Sequence, residues 1–73
     1  MRTEEELGEA AYAAIYDAQP RQAKDLYEDA RAHFGKAIAQ AKEAGRVDEV
    51  VRLTARIDHI AQVFNHQFRG VGR

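Results

Sequence analysis

The sequence predicts an all-α protein built on a long antiparallel helical hairpin, and three observations lead to this expectation. Apolar residues recur at helical spacing in three segments, whereas no segment alternates apolar and polar residues as a strand does. Two of these segments repeat apolar residues every seven positions, which is typical of helices that pack together along their length. The chain of 73 residues has one proline and no Ser- or Gly-rich linker, so we expect a single domain over residues 1–73.

The first helix is expected over residues 4–18. Thr3 and Glu6 have capping-box spacing, and the acidic first turn matches the positive end of the helix dipole. One side of this helix is apolar, with Leu7, Ala11, Ala14, Ile15 and Ala18. Pro20 disfavours helical geometry at Gln19 and suits the first turn of a second helix. A single helix kinked at Pro20 is the alternative.

The second and third helices are expected over residues 20–44 and 47–69. Alanines recur every seven residues in the second helix, and larger apolar residues do so in the third: Ala23, Ala30, Ala37 and Ala44, then Val50, Ile57, Phe64 and Val71. Gly45 suits the left-handed conformation that ends a helix. Two heptad-patterned helices joined by two or three residues form an αα-hairpin. With the shorter first helix, they predict a three-helix bundle.

The second helix also resembles part of a tetratricopeptide repeat. The spacing of Tyr27, Ala30, Phe34 and Ala37 is similar to that repeat's second helix, and Leu7-Gly8 followed by Tyr12 resembles the opening of its first helix. The sequence departs from the family in having about ten extra residues between Gly8 and Tyr27 and no second copy of the motif in the third helix. The resemblance implies a scaffold that binds peptides or proteins.

The candidate metal ligands and bases do not have the spacing of a catalytic site. His59 and His66 are seven residues apart on the side of the third helix opposite its apolar stripe, whereas helical metal ligands are three or four apart. His33 lies at the edge of the second helix's apolar stripe, as a boundary residue does. The chain has no cysteine for a thiolate site or a disulfide. We expect no enzyme activity, no metal and no cofactor.

The composition of the chain favours some cellular locations and some classes of partner over others. No run of 18 apolar residues is present, so no membrane span is expected, and the acidic start does not resemble a secretory leader. With zero cysteines, these features predict a cytoplasmic protein. Nucleic-acid binding through Arg52 and Arg56 of the third helix is the alternative function, although acidic residues interrupt that basic surface and the net charge is −1.

Two surfaces are left over once the hairpin core is assigned. Tyr12 and Tyr16 are expected to project from the first helix as interface residues, or one of them covers the hairpin core. On the back of the second helix, the small residues Ala32, Gly35 and Ala39 suggest close approach of another helix, unless they reflect the alanine-rich composition alone.

The first helix is too short to cover the whole hairpin. The end near Gly45 is therefore predicted to expose apolar side chains, namely Ile38, Ala41, Val47, Val50, Val51 and Leu53. Because twofold dimers are the commonest closed assembly, we expect a homodimer formed through this end. The sequence thus predicts a non-catalytic, self-associating module for protein–protein interaction.

Overall fold

The computed structural model describes residues 3–66, and it contains three helices: α1 (Glu4–Ile15), α2 (Pro20–Glu43) and α3 (Val47–Phe64). No strand occurs in this range, so the all-α prediction is confirmed. α2 has 24 residues and is about 36 Å long, whereas α1 has 12 residues and is about 18 Å long. The predicted end of the third helix, Arg69, lies outside the described residues.

α1 starts as predicted and ends three residues early. The Glu6 amide donates to the Thr3 hydroxyl at 3.1 Å, and the Thr3 amide donates to the Glu6 carboxylate at 3.3 Å, which completes the capping box. After Ile15, the next amides bond to carbonyls three residues back, so the chain tightens and leaves the helix. Gln19, which precedes the proline, is extended with φ −70° and ψ 156°, so the alternative of one kinked helix is wrong.

Gly45 forms the turn between α2 and α3. Its φ of 71° is left-handed, and its amide donates to the Lys42 carbonyl at 3.1 Å. The Arg46 amide donates to the Ala41 carbonyl at 2.9 Å. These two bonds form a Schellman motif, which ends α2 abruptly and reverses the chain into α3.

The core lies along the α2–α3 hairpin in two adjoining clusters of buried side chains. One contains Phe34, Ala37, Leu53 and Ile60, and the other contains Ile15, Ala23 and Phe64. Tyr12 and Tyr27 pack against both clusters and join them. The Tyr27 ring stacks on Phe64 with 4.1 Å between centroids, and this contact closes the end of the hairpin away from Gly45.

α1 lies against the hairpin through a close contact at Gly8. A Cβ atom at Gly8 would lie 2.8 Å from two carbons of the Phe34 ring and 3.3 Å from the Ala30 carbonyl oxygen. Nothing lies within 4 Å of a Cβ built at Gly35. The close helix approach therefore occurs at Gly8, and within the described chain the small-residue strip around Gly35 is an open surface.

The inward side of α1 differs from the predicted one. Ile15 is buried, as predicted, but Gly8 is also buried and Tyr12 packs against both core clusters, whereas Leu7 and Ala14 belong to neither cluster. The inward line is rotated because Gly8 lets the helix axis approach Phe34, which brings Tyr12 over the core. The resulting molecule is thin, with principal extents of 42 × 25 × 12 Å.

Candidate interaction surfaces

A ladder of ion pairs joins α1 to α3. Both α1 and α3 run antiparallel to α2, so they are parallel to each other. Two residues four positions apart on α1 therefore lie opposite two residues four positions apart on α3. Arg52 donates to Glu5 at 2.7 and 2.9 Å, and Arg56 donates to Glu9 through two bonds of 2.7 Å. Arg52 also donates to Glu49 at 2.6 Å. Bidentate pairs of this kind fix orientation as well as distance, so they hold α1 in register with α3.

These contacts keep the paired groups charged near neutral pH. Hydrogen bonds from Arg52 lower the pKa of Glu5 and of Glu49 below the usual value of 4.5. Hydrogen bonds to the carboxylates raise the pKa of Arg52 and of Arg56. Both arginines that the sequence offered for phosphate contacts are thus paired with carboxylates of the same chain.

The two tyrosines of α1 have different surroundings. Tyr12 packs against the core, with the Arg56 guanidinium 5.2 Å above its ring centroid. Its hydroxyl lies 2.9 Å from the Tyr16 hydroxyl, and the two rings meet edge to face at 5.6 Å. Burial, together with this hydrogen bond, raises the pKa of Tyr12 to about 12. Tyr12 therefore covers the core, which was the alternative for this pair, whereas Tyr16 is 52% exposed.

Apolar side chains are exposed near the Gly45 end, as expected, but the set is smaller than predicted. Val47 is 70% exposed and Val51 is 63% exposed, while Val50 and Ile38 are partly buried. We call Ile38, Val47, Val50 and Val51 the valine surface.

The prediction that Leu53 is exposed was wrong, because it is 3% exposed and lies in the Phe34 cluster. Ala41 is also buried, so it does not belong to this surface. Both side chains lie on the inner side of the α2–α3 hairpin, where they line the groove beside the start of α1 and keep only a small exposed area. The unequal helix lengths predicted an uncovered end, whereas the orientation of α3 decides which of its apolar side chains are exposed there.

A groove remains where α1 begins. It has a volume of about 360 Å³, and Ala37, Ala41 and Leu53 line it together with the acidic residues Glu5 and Glu49. It lies between the start of α1 and the last turns of α2, so it marks the limit of the third layer of the bundle. The groove and the exposed valines are on different sides of α3, because Glu49 faces Arg52 and α1 whereas Val47 and Val51 point outward.

The three histidines have separate roles in the structure. His33 is partly buried, and its Nδ1 atom lies 3.1 Å from the Glu4 carboxylate, which links the first turn of α1 to α2. His59 and His66 are exposed, as predicted from the helical spacing. Within residues 3–66, no group of three or more His, Cys, Asp or Glu side chains is arranged to hold a metal ion. Over the same residues, no helix is both long enough and apolar enough to cross a membrane.

Comparison of the chain with protein-family models, with curated proteins and with solved structures found no match. The functional argument therefore depends on the surfaces described above.

Proposed function

We propose that this protein is a non-catalytic module for protein–protein interaction and that it binds through the valine surface. The observation that carries this proposal is the exposure of Val47 and Val51, which lie one helical turn apart on α3. Val50 and Ile38 continue the apolar area toward the core. Exposed apolar groups that adjoin one another are a common feature of binding sites.

Removing these side chains from water would supply a useful free energy of association. Complete burial of a valine is worth about 1.5–3 kcal/mol. Two valines that are more than half exposed therefore contribute on the order of 3 kcal/mol when a partner covers them. This amount is part of the roughly 6 kcal/mol that a complex stable at tens of micromolar requires, and the surrounding surface must supply the rest. A single charge placed among these valines would oppose their burial.

The neighbouring side chains favour this proposal over nucleic-acid binding. Arg52 and Arg56 already donate to Glu5, Glu49 and Glu9, so phosphate contacts would have to break bidentate ion pairs. The carboxylates are used in the same pairs, which explains their presence without acid–base chemistry. With no cysteine in the chain, we propose a reducing, cytoplasmic setting for this binding.

The packing of α1 against α2 involves residues that also carry the resemblance to a tetratricopeptide repeat. Gly8 contacts Ala30 and Phe34, and all three residues belong to the positions on which that resemblance rests. We propose that the likeness concerns the way two helices pack together, which is compatible with a binding scaffold.

Val51→Glu tests the proposal, with Ala13→Glu as a matched control. Ala13 is exposed on α1, so this variant adds the same charge away from the valine surface. We expect the wild type and Ala13→Glu to have a mass above the single-chain 8.2 kDa at tens of micromolar, and Val51→Glu to fall to that mass with unchanged helical circular dichroism. The proposal fails if the wild type is a single chain and Val51→Glu retains the same proteins from a native extract as the wild type.

A further inference from the structure

The valine surface belongs to a larger back face, which is the side of the α2–α3 hairpin opposite α1. His33 points toward α1, because it contacts Glu4. Ile38 lies five residues after His33 and Arg31 two residues before it, so both lie about 140–160° around α2 from α1.

The same spacing identifies the back of α3. Arg52 and Arg56 point toward α1 through their ion pairs. Val47 lies five residues before Arg52, and Asp58 lies two residues after Arg56, so both are on the back face by the same angles. Arg31, Val47 and Asp58 are all exposed.

Charge is distributed unequally between the two halves of this back face. The α2 half contains three cations and one carboxylate at helical spacing: Lys24, Tyr27, Glu28, Arg31, Gly35, Ile38 and Lys42. The α3 half is apolar with one acid: Val47, Val50, Val51, Thr54, Asp58 and Ala61. The Arg31 guanidinium lies 5.7 Å from the Tyr27 ring centroid, which holds it at this surface.

Arg31 and Asp58 lie at nearly the same height along the hairpin. Tyr27 stacks on Phe64, so these two residues are level with each other. Arg31 is four residues beyond Tyr27, and Asp58 is six residues before Phe64 on the antiparallel helix. At 1.5 Å rise per residue, the difference in height between Arg31 and Asp58 is about 3 Å.

We infer that a second copy of the chain covers the back face, related by a twofold axis parallel to the helices, with Arg31 of each copy opposite Asp58 of the other. This inference rests on the proposed function and specifies its partner. A parallel twofold axis places α2 of one copy over α3 of the second copy at the same height, which brings opposite charges together. A perpendicular axis would place α2 over α2, so that two halves of net positive charge would face each other.

The accessible surface of the chain is large enough to include an interface with a second copy. The accessible surface is 5358 Å², whereas a folded monomer of 8.2 kDa exposes about 4,500 Å². The excess of about 800 Å² is enough to supply one side of an interface of standard size. The chain is only 12 Å thick in its thinnest dimension, and a thin shape has a large surface for its volume.

Mixing two charge-reversed variants tests the inference. Arg31→Glu alone and Asp58→Arg alone each place like charges together twice in a twofold pair, so self-association of each should weaken by at least about tenfold. In an equimolar mixture, each contact again joins opposite charges. We expect light scattering at tens of micromolar to report the 8.2 kDa single chain for each variant and a dimer for the mixture.

Two further proteins make the result decisive. Lys36→Glu reverses an exposed charge about 60° around α2 from His33, away from the back face, and should remain a dimer. The chain that carries both Arg31→Glu and Asp58→Arg should also dimerise, which shows that the substituted chains still fold. Recovery of the dimer in the mixture is expected only if Arg31 of one copy contacts Asp58 of the other, and not if the two residues contact each other within one copy.

The possible failures separate the two proposals. A wild type that stays a single chain overturns the inference about the second copy, whereas the proposed function stands if Val51→Glu abolishes binding to another protein. If the wild type is a dimer and Val51→Glu dissociates it, the valine surface is supported. The twofold arrangement is nevertheless overturned if the single charge variants dimerise normally or if their mixture does not recover the dimer.

Discussion

Replacing Gly8 with alanine measures how closely α1 approaches α2. The new Cβ atom would lie 2.8 Å from two ring carbons of Phe34, which is 0% exposed and has no solvent side into which it can move. The Ala30 carbonyl oxygen, at 3.3 Å, belongs to the helix backbone and cannot turn away. Overpacking of a close contact costs about 1–3 kcal/mol in stability.

Alanine also stabilises a helix relative to glycine, by about 1 kcal/mol, so the net effect of Gly8→Ala is destabilisation by up to about 2 kcal/mol. Gly35→Ala is the matched control, because Gly35 is also inside a helix and nothing lies within 4 Å of its Cβ position. The gain in helix propensity is common to both variants. The difference between them therefore isolates the packing cost of about 1–3 kcal/mol.

Thermal unfolding followed by circular dichroism provides the measurement, at a concentration where light scattering shows a single chain. For a domain of this size, 1 kcal/mol corresponds to roughly 4–8 °C in Tm. Gly35→Ala should raise the Tm, and Gly8→Ala should lower it. Equal increases in the two variants would show that α1 does not pack against Phe34 at this distance, and the position assigned to α1 would then be refuted.

Three other outcomes follow from the remaining contacts. The lowered pKa of Glu5 means that its ion pair stabilises the fold above pH 4.5 and that this stabilisation is lost as pH falls below that value, so urea unfolding of Glu5→Gln should show a shallower acid dependence than the wild type. The pKa of Tyr12 is raised from 10 to about 12, so the stability that its neutral hydroxyl contributes is complete below pH 10 and is lost between pH 10 and 12. A Tyr12→Phe variant that loses the same stability over this alkaline range would contradict this expectation. Replacing His59 and His66 together with glutamine should leave the Tm within about 4 °C of the wild type, because surface substitutions usually change stability by less than about 0.5 kcal/mol.

Local sequence rules predicted the helices because helix ends are controlled by neighbouring residues. Thr3 and Glu6 form the predicted capping box, and Gly45 adopts the left-handed conformation that ends α2. Pro20 separates the first two helices through its effect on the preceding residue. Each of these signals acts over a few residues, so one sequence is enough to interpret it.

The apolar periodicity of the sequence did not predict which side of α1 packs against the hairpin. A helical wheel assigned Leu7 and Ala14 to its inward side, but contact depends on how closely two helix axes approach, and Gly8 permits an approach that a wheel does not represent. The sequence signal that was available was Gly8 itself, a glycine within a helix, where it lowers stability unless close packing requires it. Gly35, the helical glycine for which close approach of another helix was predicted, lies on an open surface.

The candidate surfaces, too, were determined partly by the sequence and partly by the tertiary structure. The sequence alone determined that α1 is shorter than the hairpin and that apolar residues lie near Gly45, because both depend on helix length and residue type. The tertiary structure decided that Leu53 is buried while Val47 and Val51 are exposed, because the ion pairs of α1 with Arg52 and Arg56 fix which side of α3 faces α1. Those pairs join residues 47 positions apart, and no local pattern specifies which distant charges will meet.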